Sequence, residues 1–208
     1  MICGQGAQVT TARDSINQLV KLAMAPLLKS RGFKKNSLTF ARRNGAVAHF
    51  VNVQLSSWNR GAAGSFYLNV GVAFDEIARH LGKPVPEFPR YDDCQFLVRI
   101  DKLNPELPPQ FIVDDGVDLV SLGSHVARSL DESFIAPLTV VDSLHAFGKT
   151  GWVHTVPWGF PALFHYLTGN REEARRLVQR EAAHFADRGL TFESVAKGLC
   201  LHFGESAA

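Results

Sequence analysis

The chain has 208 residues, 46% hydrophobic and 20% charged, with a formal net charge of +2. That length and apolar content suit one domain, or one domain with a small appendage, around a substantial core. A charge so near zero gives no argument for nucleic acid or a membrane surface, and no apolar run is long enough for a membrane span.

Residues 1–11 are rich in Gly, Gln and Thr and carry neither the basic nor the apolar region of a secretory signal. Cys3, Cys94 and Cys200 are odd in number and far apart, a pattern that suits a reducing cytoplasm better than a disulfide framework. Over residues 11–31, Ile16, Leu19, Val20, Ala23, Leu27 and Leu28 recur at helical spacing, with Thr11 or Asp14 as cap and Gly32 as terminator. Pro26 predicts a kink or a late restart within that helix.

A short strand follows over 38–43. Asn44-Gly45 then signals a type I′ hairpin turn, because both residues tolerate positive φ. Residues 46–56 alternate, with Val47, Val51, Val53 and Leu55 on one side and Phe50, Asn52, Gln54 and Ser56 on the other. After the loop 57–64, which holds Trp58, residues 65–74 alternate again. Phe66, Leu68, Val70, Val72 and Phe74 face one way, and Tyr67, Asn69, Gly71 and Ala73 the other. A helical turn is expected at 75–81, a proline-rich loop at 83–89, a fourth strand at 95–101 and a short extended piece at 111–113. Helical periodicity covers 117–134 and 134–147, then 160–167, 172–188 with Gly189 as cap, and 191–203. The expected fold is α+β: a four-stranded antiparallel meander packed against helices, over residues 1–148, with a C-terminal helical extension of the same globule at 149–208.

The helix leading into Gly32-Phe33-Lys34-Lys35, the Asn-Gly turn, Val51-Asn52-Val53-Gln54-Leu55-Ser56 and Phe66 to Val72 together resemble a known family. It is the bacterial family catalogued as domain of unknown function 4304, whose members share both strand motifs at this spacing. The resemblance covers roughly residues 13–148 and implies an α+β domain with no assigned activity.

Several chemistries fail on spacing. Gly148-Lys149-Thr150 would end a phosphate-binding loop, but Ser143 stands where that loop needs glycine, and Pro157 follows where a helix must run. Glu181 and His184 have an i, i+3 metal spacing without the second copy a two-metal bundle requires. Asp114, Asp115 and Asp118 lack the glycine position and the closing glutamate of a calcium loop, and suit helix capping instead. No Gly-x-Ser-x-Gly elbow occurs. Asp101 and Lys102 are adjacent rather than spaced as in metal-dependent nucleases, and Cys94 reads as an inert thiol. No catalytic residue, metal or cofactor is assigned.

Two surfaces remain. Asn52, Gln54, Ser56, Tyr67 and Asn69, joined by Gln95 and Arg99, gather on the wetter sheet face, with Trp58 and Trp152 as aromatic walls. Lys29, Arg31, Lys34, Lys35, Arg42 and Arg43 form a basic patch. The leading expectation is a non-catalytic cytoplasmic interaction module with an unknown protein partner, in one version antitoxin- or immunity-like. A small-molecule enzyme on the same face, using His49, Tyr67 or Arg99, is the alternative. Weak nucleic-acid binding through the basic patch is the third reading.

Overall fold

In the computed structural model, which describes residues 11–203, Thr11 opens helix α1 (Ala12–Leu19) with a capping box. The Asp14 N–H donates to Thr11 Oγ1, and the Thr11 N–H donates to the Asp14 carboxylate, each at 3.2 Å. The helix widens into a π turn at Val20–Met24 and re-forms as α2 (Ala25–Ser30). The irregularity therefore precedes Pro26, which sits in the first turn of α2 where no N–H is needed. A wider turn also relieves the clash that a proline ring makes with the carbonyl four residues earlier. Gly32, at φ 81°, ends α2, and the Phe33 N–H reaches back to the Leu28 carbonyl.

Six strands follow, two more than the alternation predicts: β1 (Lys34–Asn36), β2 (Thr39–Asn44), β3 (Val47–Leu55), β4 (Gly64–Phe74), β5 (Phe96–Arg99) and β6 (Phe111–Val113). The sheet runs β1-β2-β3-β4-β5, and β6 pairs antiparallel with β4, Phe66 opposite Phe111. At three residues each, β1 and β6 are too short for a period of two to show. The hairpin turn also departs from expectation. Gly45 has φ 59° whereas neither Asn44 nor Ala46 has positive φ, the pattern of a type II′ turn. Glycine is needed at that one position, and a Cβ there would meet the Asp142 carbonyl oxygen at 2.9 Å.

Helix α3 (Asp75–His80) follows β4. Helix α4 (Leu119–Leu130), capped by Asp118 through the Val120 N–H, runs into a second π turn at Asp131–Ile135. The helix expected over 134–147 is much shorter. The π turn closes at Ala136, which is still helical (φ −63°, ψ −47°) directly before Pro137, and Ser143 caps a new helix, α5 (Leu144–Gly148). Helices α6 (Phe160–Leu167), α7 (Arg171–His184) and α8 (Phe192–Gly198) complete the chain, with Gly189 at φ 77° in the expected terminating role.

These elements form two compact units. Of the described residues, one unit comprises 11–40 with Val51–Val70 and Arg99–Ala136; the other comprises Ala41–Phe50, Gly71–Val98 and 137–203. The first buries Ile16, Met24, Leu28, Val51, Leu68 and Leu130, and stacks Phe66 on Phe111 at 5.1 Å. Its helices approach closely because α4 carries Gly123, where a Cβ would lie 2.8 Å from that of Ala23. The second is built on rings: Phe147 lies 5.1 Å from both Phe74 and Phe96, and Phe160 stacks on Phe74 at 5.5 Å. Each such buried ring contributes roughly 1.5–3 kcal/mol from removed apolar area.

Candidate recognition surface

Within the first unit, the inward residues of β3 and β4 leave their polar neighbours on the opposite side. Phe66, Leu68 and Val70 are at most 2% exposed, and Asn69 between them points the other way. Its side-chain amide donates to Gln54 Oε1 at 2.9 Å and to Asn52 Oδ1 at 3.4 Å. Asn52 Nδ2 in turn donates to Thr39 Oγ1 at 3.0 Å, so one ladder of amides and a hydroxyl crosses β2, β3 and β4. Asn69 is buried, Asn52 and Thr39 are half-buried, and Gln54 is exposed.

Beside this ladder the exposed Arg99 lays its guanidinium over the half-buried Tyr67 ring, 4.1 Å from the centroid. Stacking holds the planar fork flat, which preorganises it for a carboxylate. None of the six strands carries Asp or Glu, while Lys34, Lys35, Arg42, Arg43 and Arg99 lie on them.

Trp58 is 81% exposed on a turn that is firmly built. Ser56 Oγ accepts from the Trp58 N–H at 3.2 Å. Asn59 clamps Ser65 from both ends, accepting its N–H at 2.7 Å and donating to its carbonyl at 2.9 Å. Asn52, Gln54 and Asn69 thus come together, Tyr67 and Arg99 come together, and Ser56 serves the turn that presents Trp58.

The other named residues have different surroundings, all in the second unit. Gln95 accepts from the Phe74 N–H and donates to the Asp93 carbonyl, so both ends of its amide bind backbone. Trp152 stacks on Phe96 at 6.0 Å within the aromatic core. His49 alternates with Val47 and Val51 and points to the core side, where it is fully buried. Arg42 Nε donates to His49 Nδ1 at 2.9 Å, which places the ring proton of the neutral imidazole on Nε2. Burial first and the Arg42 charge second push the His49 pKa down to about 3, with the Val141 backbone acting the other way. Such a group cannot exchange protons near neutral pH, and it does not lie on the polar face. Burial, reinforced by the Asp93 charge, pushes the Cys94 thiol up, which keeps it protonated.

The basic stretch is divided among partners. Arg31 makes two bonds to Asp131, at 2.7 and 3.0 Å, and Arg43 binds Asp75 at 2.9 Å and the Pro86 carbonyl at 2.6 Å. Lys35 Nζ lies over the Phe40 ring at 5.7 Å, while Lys29 and Lys34 are exposed. Glu181 accepts from the Gly159 N–H at 3.1 Å, and the His184 ring stacks on Trp158 at 4.7 Å.

Among the described residues no group of three or more His, Cys, Asp and Glu side chains gathers as for a metal ion, and no helix is long and apolar enough to cross a membrane. Concavities lie around Phe192 and Phe203, around Glu173 and Gln179, and around Asp75 and Gln95. None is lined by Asn52, Gln54, Asn69 or Arg99.

Neither a curated protein nor a solved structure matches this chain. A family model does match, over residues 24–158, a span that contains all six strands and well over half of the sequence. The chain belongs to the family described as a domain of unknown function, DUF4304.

Proposed function

We propose that this protein is a non-catalytic recognition module. On this reading the Asn52–Gln54–Asn69 ladder, the Arg99–Tyr67 stack and Trp58 together receive a protein partner that presents carboxylates. The observation that carries the reading is Trp58: a large ring, 81% exposed, on a turn held by Ser56 and Asn59 rather than left loose. Leaving such a ring in water forgoes a large burial gain, and aromatic anchors dominate the energetics of protein interfaces. The outer edge of Arg99 and strands free of acidic residues supply the charge complement.

A protein partner is preferred to a small substrate because Gln54, Trp58 and Arg99 are exposed rather than enclosed, and small-molecule sites are concave. It is preferred to nucleic acid because Arg31 and Arg43 are paired with carboxylates. The test is affinity capture from the native host with the wild type, Trp58→Ala and Arg99→Ala, all checked for equal thermal melting. One protein should be retained by the wild type and lost by at least about tenfold in each variant. Retention indifferent to both changes contradicts the proposal.

A further inference from the structure

The Glu181–His184 pair singled out by spacing is engaged elsewhere, but two other histidines meet without any sequence signal. His154, in the short 3-10 turn Val153–Thr155, and His165, on α6, bring their Nε2 atoms to 3.3 Å. Their rings lie 5.3 Å apart and are inclined by 29°. His154 is exposed and His165 half-buried, its ring set edge-on against Phe164 at 5.3 Å. The turn under His154 is anchored by buried Val153 and by the Thr155 N–H bond to the Trp152 carbonyl at 2.9 Å.

We infer that His154 and His165 form a two-histidine site for a zinc ion, with solvent completing the coordination shell. The separation itself is the argument. Two nitrogens each about 2.0–2.1 Å from a shared zinc, and 3.3 Å from one another, subtend about 105–110° at the metal, the tetrahedral angle. At 3.3 Å the two nitrogens are also within hydrogen-bond range, so the same approach is held as a neutral imidazole pair without metal.

Chelation needs both Nε2 lone pairs, so both rings must be neutral with their protons on Nδ1. Glu173 is held by Arg176 through two bonds of 2.6 and 2.7 Å, and it adds negative charge beside the pair without joining it as a ligand. Two imidazoles form half of a tetrahedral shell, so the site is open and exchangeable rather than a closed structural centre. It shares no residue with the recognition surface proposed above.

The test is calorimetric titration of Zn²⁺ alone into the full-length chain after chelator treatment, in wild type, His154→Ala, His165→Ala and His145→Ala. His145 is another exposed histidine and serves as the control. One equivalent should bind the wild type and the His145→Ala variant alike, and the association constant should fall at least tenfold in each of the other two. His154→Ala carries the decision if His165→Ala melts early, because His154 is exposed. No zinc binding by the wild type, or unchanged binding in His154→Ala, overturns the assignment.

Discussion

Asn69 donates one side-chain amide to two neighbours on the adjacent strand, Gln54 at 2.9 Å and Asn52 at 3.4 Å. The outward face of this part of the sheet therefore holds a defined arrangement rather than a set of independent solvated side chains. Asn69 is its pivot, buried to 4% exposure, while Gln54 is open to solvent.

Replacing the pivot should cost more than replacing the residue it binds. Asn69→Ala removes two hydrogen bonds and is expected to lower stability by about 1–2 kcal/mol, at roughly 0.5–1.5 kcal/mol net for each bond. Gln54→Ala removes an exposed side chain and should stay within about 0.5 kcal/mol of the wild type. Urea denaturation of the two variants checks the ordering; equal losses would show that the ladder has no buried anchor.

His49 predicts the acid behaviour. Its folded pKa, about 3, lies below the unfolded value near 6.5, so below that value the unfolded chain binds the extra proton. The stabilisation is complete above about pH 6.5 and is lost as pH falls towards 3, at up to about 1.4 kcal/mol per unit. His49→Gln keeps an acceptor for Arg42 but cannot titrate. Its stability should fall less steeply between pH 6 and 4 than that of the wild type, measured by urea midpoints at each pH. Parallel curves would remove His49 as the cause.

Gly123 tests the close approach of α4 to the first π turn. By helix propensity alone, Gly123→Ala would gain about 1 kcal/mol. A methyl group 2.8 Å from the Ala23 Cβ has nowhere to move, and overpacking costs about 1–3 kcal/mol. The net expectation is a loss of up to about 2 kcal/mol in thermal or urea unfolding. A gain would mean that the two helices can separate freely.

The long strands were legible because one face of each is apolar almost throughout, although the structure also covers much of the other face, burying Ala48, Phe50 and Ala73. Five alternating apolar residues from Phe66 to Phe74 permit one register, and that register places Asn69 outward. His49 was harder to place, since a polar residue at an inward position breaks the alternation it belongs to. The signal that identifies it is Arg42, its cross-strand partner counted outward from the Gly45 turn. The basic stretch misled for a different reason. Arg31 and Arg43 are neighbours in sequence, but their carboxylates, Asp131 and Asp75, lie 100 and 32 residues away. The first π turn left only a faint trace, the buried Ile16, Val20, Met24 and Leu28 recurring at every fourth residue, wider than the 3.6 of a regular helix.

Backbone protection is the most direct probe of the recognition surface. Hydrogen–deuterium exchange should be recorded on the chain alone and bound to the protein captured through Trp58 and Arg99. The account predicts slowed exchange confined to residues 52–60 and 64–70 and to the segment beginning at Arg99. Protection centred on the C-terminal helices, with those three segments unchanged, would contradict it.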